Sequence, residues 1–333
     1  MPLAAILLSH LPTQCCGKDL PISVIRDAAD FCADHDFSLV VSVGQHHWDY
    51  VLFAAIERRV PIHLIMVKND IPVWKQWQIT PVSCEIVETA EQRDKRIIEK
   101  AETIFPVWIR PKGRLTAILA AMSSGKIIDK RFDCSAYRFS ISLKYPPFVY
   151  SSQLVSLPDL HLWHWTRSSV GKWEEETPQE FCRDVLSSQI YPRNAFETLK
   201  RIVQTRRICG CGEHIVNHIP VVSFTQNHPA KNETMLQWRT GKHRMNFEPY
   251  AIGIPRESVA ARGGEPVIYG NKPDWNTMRK NAVWKNENEW RKRGDLVIDD
   301  NIFKEMIIII YKNEETKEMQ KIFAGKIVPF CEE

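Results

Sequence analysis

Glycine-rich phosphate loops are missing from this chain. Its 333 residues hold only 14 glycines, and neither a G-x-G-x-x-G fingerprint nor a Walker pattern occurs. Dinucleotide or NTP binding of the usual kind is therefore not supported. Long hydrophobic runs are missing as well. Residues 4–8 and 306–310 are strand-length and fall far short of the roughly 20 residues of a membrane span. The first ten residues lack the basic flank of a signal peptide. Nine cysteines, an odd number without regular spacing, give no disulfide framework, so reduced thiols in a cytoplasmic protein without a membrane partner are expected. Cys209-Gly210-Cys211 with His214 and His218 comes closest to a zinc set. No second pair at ligand spacing follows, so no metal is expected. A strong charge of either sign is also absent. Net charge of +4 permits an anionic ligand without arguing for nucleic acid.

What is present suits a globular protein of about two domains: 44% apolar and 25% charged residues, with 11 tryptophans for broad half-buried clefts or cores. Residues 1–130 alternate apolar runs with amphipathic stretches. Strands are expected at 4–8, 38–44, 62–67, 85–87 and 105–110, and helices at 22–34, 49–59, 91–101 and 113–123. This rhythm predicts an α/β Rossmann-like domain with an open, mainly parallel sheet. In such sheets ligands sit beyond the carboxyl ends of the strands. The turns there are Gly44-Gln45-His46-His47-Trp48-Asp49 and Arg110-Pro111-Lys112-Gly113-Arg114. The second sets three cations beside a glycine, either as an anion cradle or as an ordinary helix entry with solvated charges.

Residues 131–158, with Tyr145-Pro146-Pro147, read as a connector. Residues 159–333 then read as an α+β domain. Strands are expected at 160–167, 220–225, 250–254, 266–270, 286–296 and 305–311, with a helix at 195–203. Side chains alternate along a strand, so Glu287, Glu289 and Arg291 would share one face. Two carboxylates and a guanidinium suit a polar cleft that handles a charged or hydroxylated ligand, or equally a solvated edge strand. His164 lies between Trp163 and Trp165, where a hydrogen-bonded core histidine is the alternative. Ser223 and Thr225 could simply end a strand, and Tyr250 sits in an apolar run.

The strand and loop at 40–44, the helix after it and the turn at 108–114 resemble the LOG and DprA type of nucleotide-binding domain. That resemblance implies a nucleotide ligand for the first half. The order His164-Trp165-Thr166-Arg167, then Ser223-Phe224-Thr225, then Glu287-Asn288-Glu289 resembles the ADP-ribosyltransferase superfamily. It implies an NAD-consuming enzyme. Glu289 would be its catalytic carboxylate, holding the ribose 2′-hydroxyl and stabilising oxocarbenium character, and Glu287 would orient or activate an acceptor. His164 would bind ribose, Tyr250 or Trp165 would stack on nicotinamide, and Arg167, Ser223, Thr225 and Arg291 would complete the cofactor-binding set. Segments 221–225, 247–254, 266–270 and 289–291 are also similar to bacterial proteins related to the AbiGi type of abortive phage resistance protein, which implies a phage-defence setting.

The leading expectation is thus an ADP-ribosyltransferase-like effector with NAD as substrate, a nucleotide-sensing first half and a protein or nucleic-acid acceptor. The alternatives are a non-catalytic nucleotide-binding regulatory module, or a nucleic-acid-processing protein using Arg206-Arg207, Lys242-His243-Arg244 and Arg291-Lys292-Arg293. Glu289→Gln is expected to leave folding unchanged, because a cleft carboxylate contributes little to packing.

Overall fold

A computed structural model of the chain describes residues 1–122, 125–139, 148–213, 215–232, 235–239, 244–271, 274–279 and 283–332. Tyr145-Pro146-Pro147, Ser123, His214, Lys242 and His243, named above, lie outside the described residues. The chain forms two compact units, Met1–Ile141 with Val170–Pro192, and Ser142–Ser169 with Arg193–Glu333.

The first unit contains β1 (Leu3–Leu8), α1 (Leu20–Asp34), β2 (Ser38–Ser42), α2 (Trp48–Glu57), β3 (Ile62–Val67), α3 (Ile71–Lys75), β4 (Ser83–Val87), α4 (Ala90–Lys100), β5 (Thr103–Trp108), α5 (Arg114–Met122) and β6 (Ile127–Ile128). Its sheet has the order β4-β3-β2-β1-β5-β6, with every neighbouring pair parallel. β1 explains the layering. Ala4, Ile6 and Leu8 pack on one side with Ile25, Ala29 and Cys32 of α1 and Leu52 and Phe53 of α2. Ala5 and Leu7 pack on the other with Ile97 and Ile98 of α4 and Ile118 of α5. A strand covered on both faces reads as a continuous apolar run, as this one does. The expected α/β architecture, a parallel sheet with flanking helices, is what the first unit has.

The boundaries differ from those expected. Residues 170–192, assigned from sequence to the second domain, belong to the first unit. The reason lies in α2, where Tyr50 through Ala55 are all buried. A helix apolar all round must be covered on its outer side too. Phe181, Cys182, Val185 and Leu186 of the helix Pro178–Ser187 join that same cluster. The described parts of the expected connector at 131–158 are likewise packed. The Cys134 amide donates to the Val107 carbonyl at 2.9 Å, and the Tyr137 hydroxyl donates to Asp19 at 3.0 Å. Leu154 and Leu157 are buried with Trp163 and Trp165.

The second unit is built on a seven-stranded sheet. Its order is Gly264–Pro266, Glu289–Arg293, Val221–Thr225, His161–Trp165, Ala251–Pro255, Ile307–Ile310, Lys326–Pro329. Neighbours are antiparallel except the last pair. Alternation sorts the side chains. Leu162, Val222, Phe224 and Ile252 face one core with Leu199 and Val203 of the helix Ala195–Thr205. Trp163, Trp165, Ala251, Ile307 and Ile309 face another with Phe330. Gly253 lies opposite Trp163, where an added Cβ would stand 2.4 Å from the indole. Among the described residues no helix is long and apolar enough to cross a membrane.

Candidate functional site

The acidic motif is not one strand. Residues Val283–Glu287 form a short 3-10 turn, Asn288 takes a left-handed conformation with φ of 46°, and the strand begins at Glu289. Asparagine tolerates that conformation better than most residues. The two carboxylates therefore meet through a turn rather than through strand alternation.

Register fixes the rest. Glu289 pairs with Thr225 and Arg291 with Ser223 on one side of the strand, and Trp163 pairs with Thr225 on the next. Alternation along its strand sets Trp165 on the same side as Trp163. Glu289, Arg291, Ser223, Thr225, Trp163 and Trp165 thus share one face. Arg291, only 6% exposed, holds Glu289 in a two-pronged ion pair, Nε to Oε1 at 2.8 Å and Nη2 to Oε2 at 3.2 Å. Its remaining Nη1 donates to the Trp275 carbonyl at 2.8 Å. The Thr225 hydroxyl donates to the Glu287 carbonyl. Burial, and then the charge of Glu289, push the Glu287 carboxyl up to about 7, with Arg239 opposing.

Three polar atoms in this neighbourhood are buried without a hydrogen-bond partner among the described residues: Tyr269 Oη, Trp165 Nε1 and Asn276 Oδ1. Burial and then the charges of Glu289 and Glu287 raise the Tyr269 phenol, so its ring lies within their field. Buried polar groups without a partner are rare and call for an explanation such as an absent ligand. Tyr269, Asn276, Trp275 and Arg239 were not singled out from the sequence. Nothing in an apolar segment such as 266–270 marks its tyrosine as facing a carboxylate pair 20 residues on.

His164 and Tyr250 are not part of this face. His164 shares the Leu162 side of its strand, with its ring 5.8 Å from Phe224, and its Nδ1 donates to the Ser223 carbonyl at 2.9 Å. Burial lowers its pKa, so the neutral ring is favoured. Tyr250 belongs to the same opposite core and donates to Glu315 at 2.7 Å. The expectation that Glu289 contributes little to folding is also corrected, since it neutralises a buried guanidinium. Three arginines of the basic clusters proposed for nucleic acid are engaged or buried. Arg206 pairs with Asp300 and Arg207 with Asp295, while Arg291 is buried. Among the described residues no group of three or more His, Cys, Asp or Glu could hold a metal ion.

In the first unit, β1 lies between β2 and β5, so the strand order reverses there, and open α/β sheets bind ligands beyond the carboxyl ends at such a reversal. His10 and His46 stack there with ring centroids 4.1 Å apart. The Leu11 amide donates to His47 Nε2 at 2.9 Å, and the Arg110 amide donates to Ser9 Oγ at 3.0 Å. Buried Arg93 ties the floor together, donating to the Val43 carbonyl at 2.9 Å and pairing with Asp70 and Asp94. Arg114 also pairs with Asp94. Desolvation, then Arg114 and Arg93, lower the pKa of His46. Gly44 has φ of 80°, and a Cβ there would lie 2.4 Å from the Asp70 carboxylate.

No protein-family model matches the chain, and no curated protein matches it significantly.

Proposed function

We propose that the second unit is an NAD-consuming, ADP-ribosyltransferase-like effector whose working groups are Glu289 and Glu287. The observation that carries this reading is the pair itself, with Glu289 held by Arg291 and a second carboxyl raised to about 7 beside it. Cleavage of the bond between nicotinamide and ribose develops positive charge on the sugar, and a fixed carboxylate stabilises that charge. Arg291 occupies one direction of each Glu289 oxygen. A carboxylate has about four acceptor sites, so hydrogen bonding to a ribose hydroxyl remains available, while nucleophilic attack is disfavoured. Glu287 titrates near neutrality, where a general base is most effective, and can take the proton of an incoming water, protein or nucleic-acid acceptor. Tyr269 Oη and Trp165 Nε1 are donors that such a ligand would satisfy. His164 and Tyr250 have no part in this assignment. A phage-defence setting, implied by the sequence resemblance to AbiGi-type proteins, belongs to this reading.

For the first unit we propose a nucleotide ligand in the crevice between β1 and β5, with the stacked His10–His46 pair beside the base and Arg110 and Arg114 beside phosphate. Crevices at such a reversal of strand order are where open α/β sheets bind ligands. Thermal shifts with a panel of nucleotides test it. Stabilisation lost in Arg114→Ala supports the reading, and no shift with any nucleotide refutes it. The catalytic reading is tested by following nicotinamide release from NAD.

A further inference from the structure

Arg244 lies in the strand Arg244–Met245 and is only 8% exposed. The one carboxylate it meets among the described residues is Glu213, at 3.8 Å, whose own side chain is 55% exposed. Arg167 follows the strand His161–Trp165. Its guanidinium lies over the Phe247 ring, 5.8 Å from the centroid, and it donates one long hydrogen bond, from Nη1 to the Asn246 carbonyl at 3.5 Å. Each guanidinium has five N–H donors in a fixed fork. Among the described residues these two guanidinium groups have between them one long hydrogen bond and one ion pair at 3.8 Å. Burial and then the charge of Arg244 pull Arg167 below the ordinary guanidinium value, with Cys211 and Glu213 opposing.

An arrangement of this kind costs stability. Arg244 is buried and Arg167 half-buried, and among the described residues the carboxylate that Arg244 meets is the half-exposed Glu213 at 3.8 Å. Elsewhere in this unit the problem is solved, as with Arg291, which has a two-pronged carboxylate and a carbonyl. The pair also has a defined relation to the carboxylates. Arg244 is the ladder partner of Arg239, so both project from one face of their hairpin. Arg239 acts on Glu287, and Arg244 acts on Arg167.

We propose that Arg167 and Arg244 seat a doubly charged phosphate or diphosphate group of the ligand whose sugar is handled at Glu287 and Glu289. The assignment of that sugar rests on the NAD reading, whereas the anion seat rests on the arginines alone. Arg167 meets Asn246 and Phe247, two and three residues after Arg244, and a guanidinium fork matches the tetrahedral oxygens of phosphate bidentately, which chloride cannot reproduce.

The test is calorimetric titration of the full-length protein with inorganic pyrophosphate, with sodium chloride at equal ionic strength as control. Pyrophosphate should bind and chloride should not. Arg244→Met and Arg167→Met should each weaken binding about 10–100-fold, from loss of charge-assisted hydrogen bonds. Arg244→Lys, which keeps charge without the fork, should fall between. In the absence of ligand, Arg244→Met should melt no lower than wild type, because it removes a like-charge contact. A purely structural arginine would instead lower the melting temperature. Wild type that fails to bind pyrophosphate, or Met variants that bind it as well as wild type, would overturn the proposal. Glu287→Gln should bind pyrophosphate normally. Absence of nicotinamide release alongside intact pyrophosphate binding would therefore count against the catalytic reading and not against this one.

Discussion

Replacing Glu287 by glutamine should stabilise the second unit at pH 8 relative to its effect at pH 5. The carboxyl is raised from its ordinary 4.5 to about 7 by burial and by Glu289, so the folded chain holds this proton more tightly than the unfolded chain does. A group with a raised folded-state pKa contributes stability that is fully present below about 4.5 and is lost as pH rises through about 7. One pKa unit is about 1.4 kcal/mol, which makes the shift worth about 3 kcal/mol as a ceiling. The group is only partly buried, so solvent screening leaves roughly 1–2 kcal/mol. Glutamine cannot ionise and carries no such pH dependence. Any fixed cost of the amide cancels when the wild-type-to-variant difference at pH 5 is subtracted from that at pH 8. Melts at the two pH values should show the variant gaining roughly 2–8 °C between them. Hydrogen exchange in the strand Val221–Thr225 confines the readout to this unit. An equal difference at both pH values would refute the claim that Glu287 is ionised at a cost beside Glu289.

Glu289→Ala should cost about 3–5 kcal/mol, because it leaves the buried Arg291 charge without its partner; a loss below about 1 kcal/mol in urea unfolding would mean the pair is solvated. Phe181→Ala should cost about 3–5 kcal/mol and speed hydrogen exchange in α2, whereas no change in α2 would contradict the assignment of the helix Pro178–Ser187 to the first unit. Gly44→Ala should cost at least about 1 kcal/mol, since it combines a positive φ with a clash against Asp70; a neutral effect on the melting temperature would show that the β2–α2 turn can relax.

Much of the first unit could be read from the sequence because parallel strands buried on both faces read as nearly continuous apolar runs, as in β1 and the Leu39–Val41 centre of β2. The short β6 and α3 carry no such run and left no signal. Residues 170–192 were misplaced because the fate of their helix depends on the uncovered outer side of α2, a non-local fact. In the second unit, the nearness of Glu287 and Glu289 was legible from spacing, although a turn and a left-handed Asn288 bring it about. His164 and Trp165 could not both face the carboxylates, since neighbours on a strand point to opposite sides. Which of them does is set by the pairing of Trp163 with Thr225, and register of that kind is not written in either strand alone. The arginine pair of Arg167 and Arg244 was hidden for the same reason, since Arg167 follows one strand and meets Asn246 and Phe247 just after another.

The most direct measurement is nicotinamide release from labelled NAD by the pure full-length protein, followed together with label transfer to added protein and nucleic acid. Wild type should release nicotinamide. Glu289→Gln, confirmed folded by circular dichroism, should be slower by about 10²–10³-fold through loss of a preorganised charge. Glu287→Gln should retain more of the hydrolysis and lose more of the transfer. Folded wild type that leaves NAD intact, or a Glu289→Gln variant as fast as wild type, would contradict the assignment of this carboxylate pair to NAD chemistry.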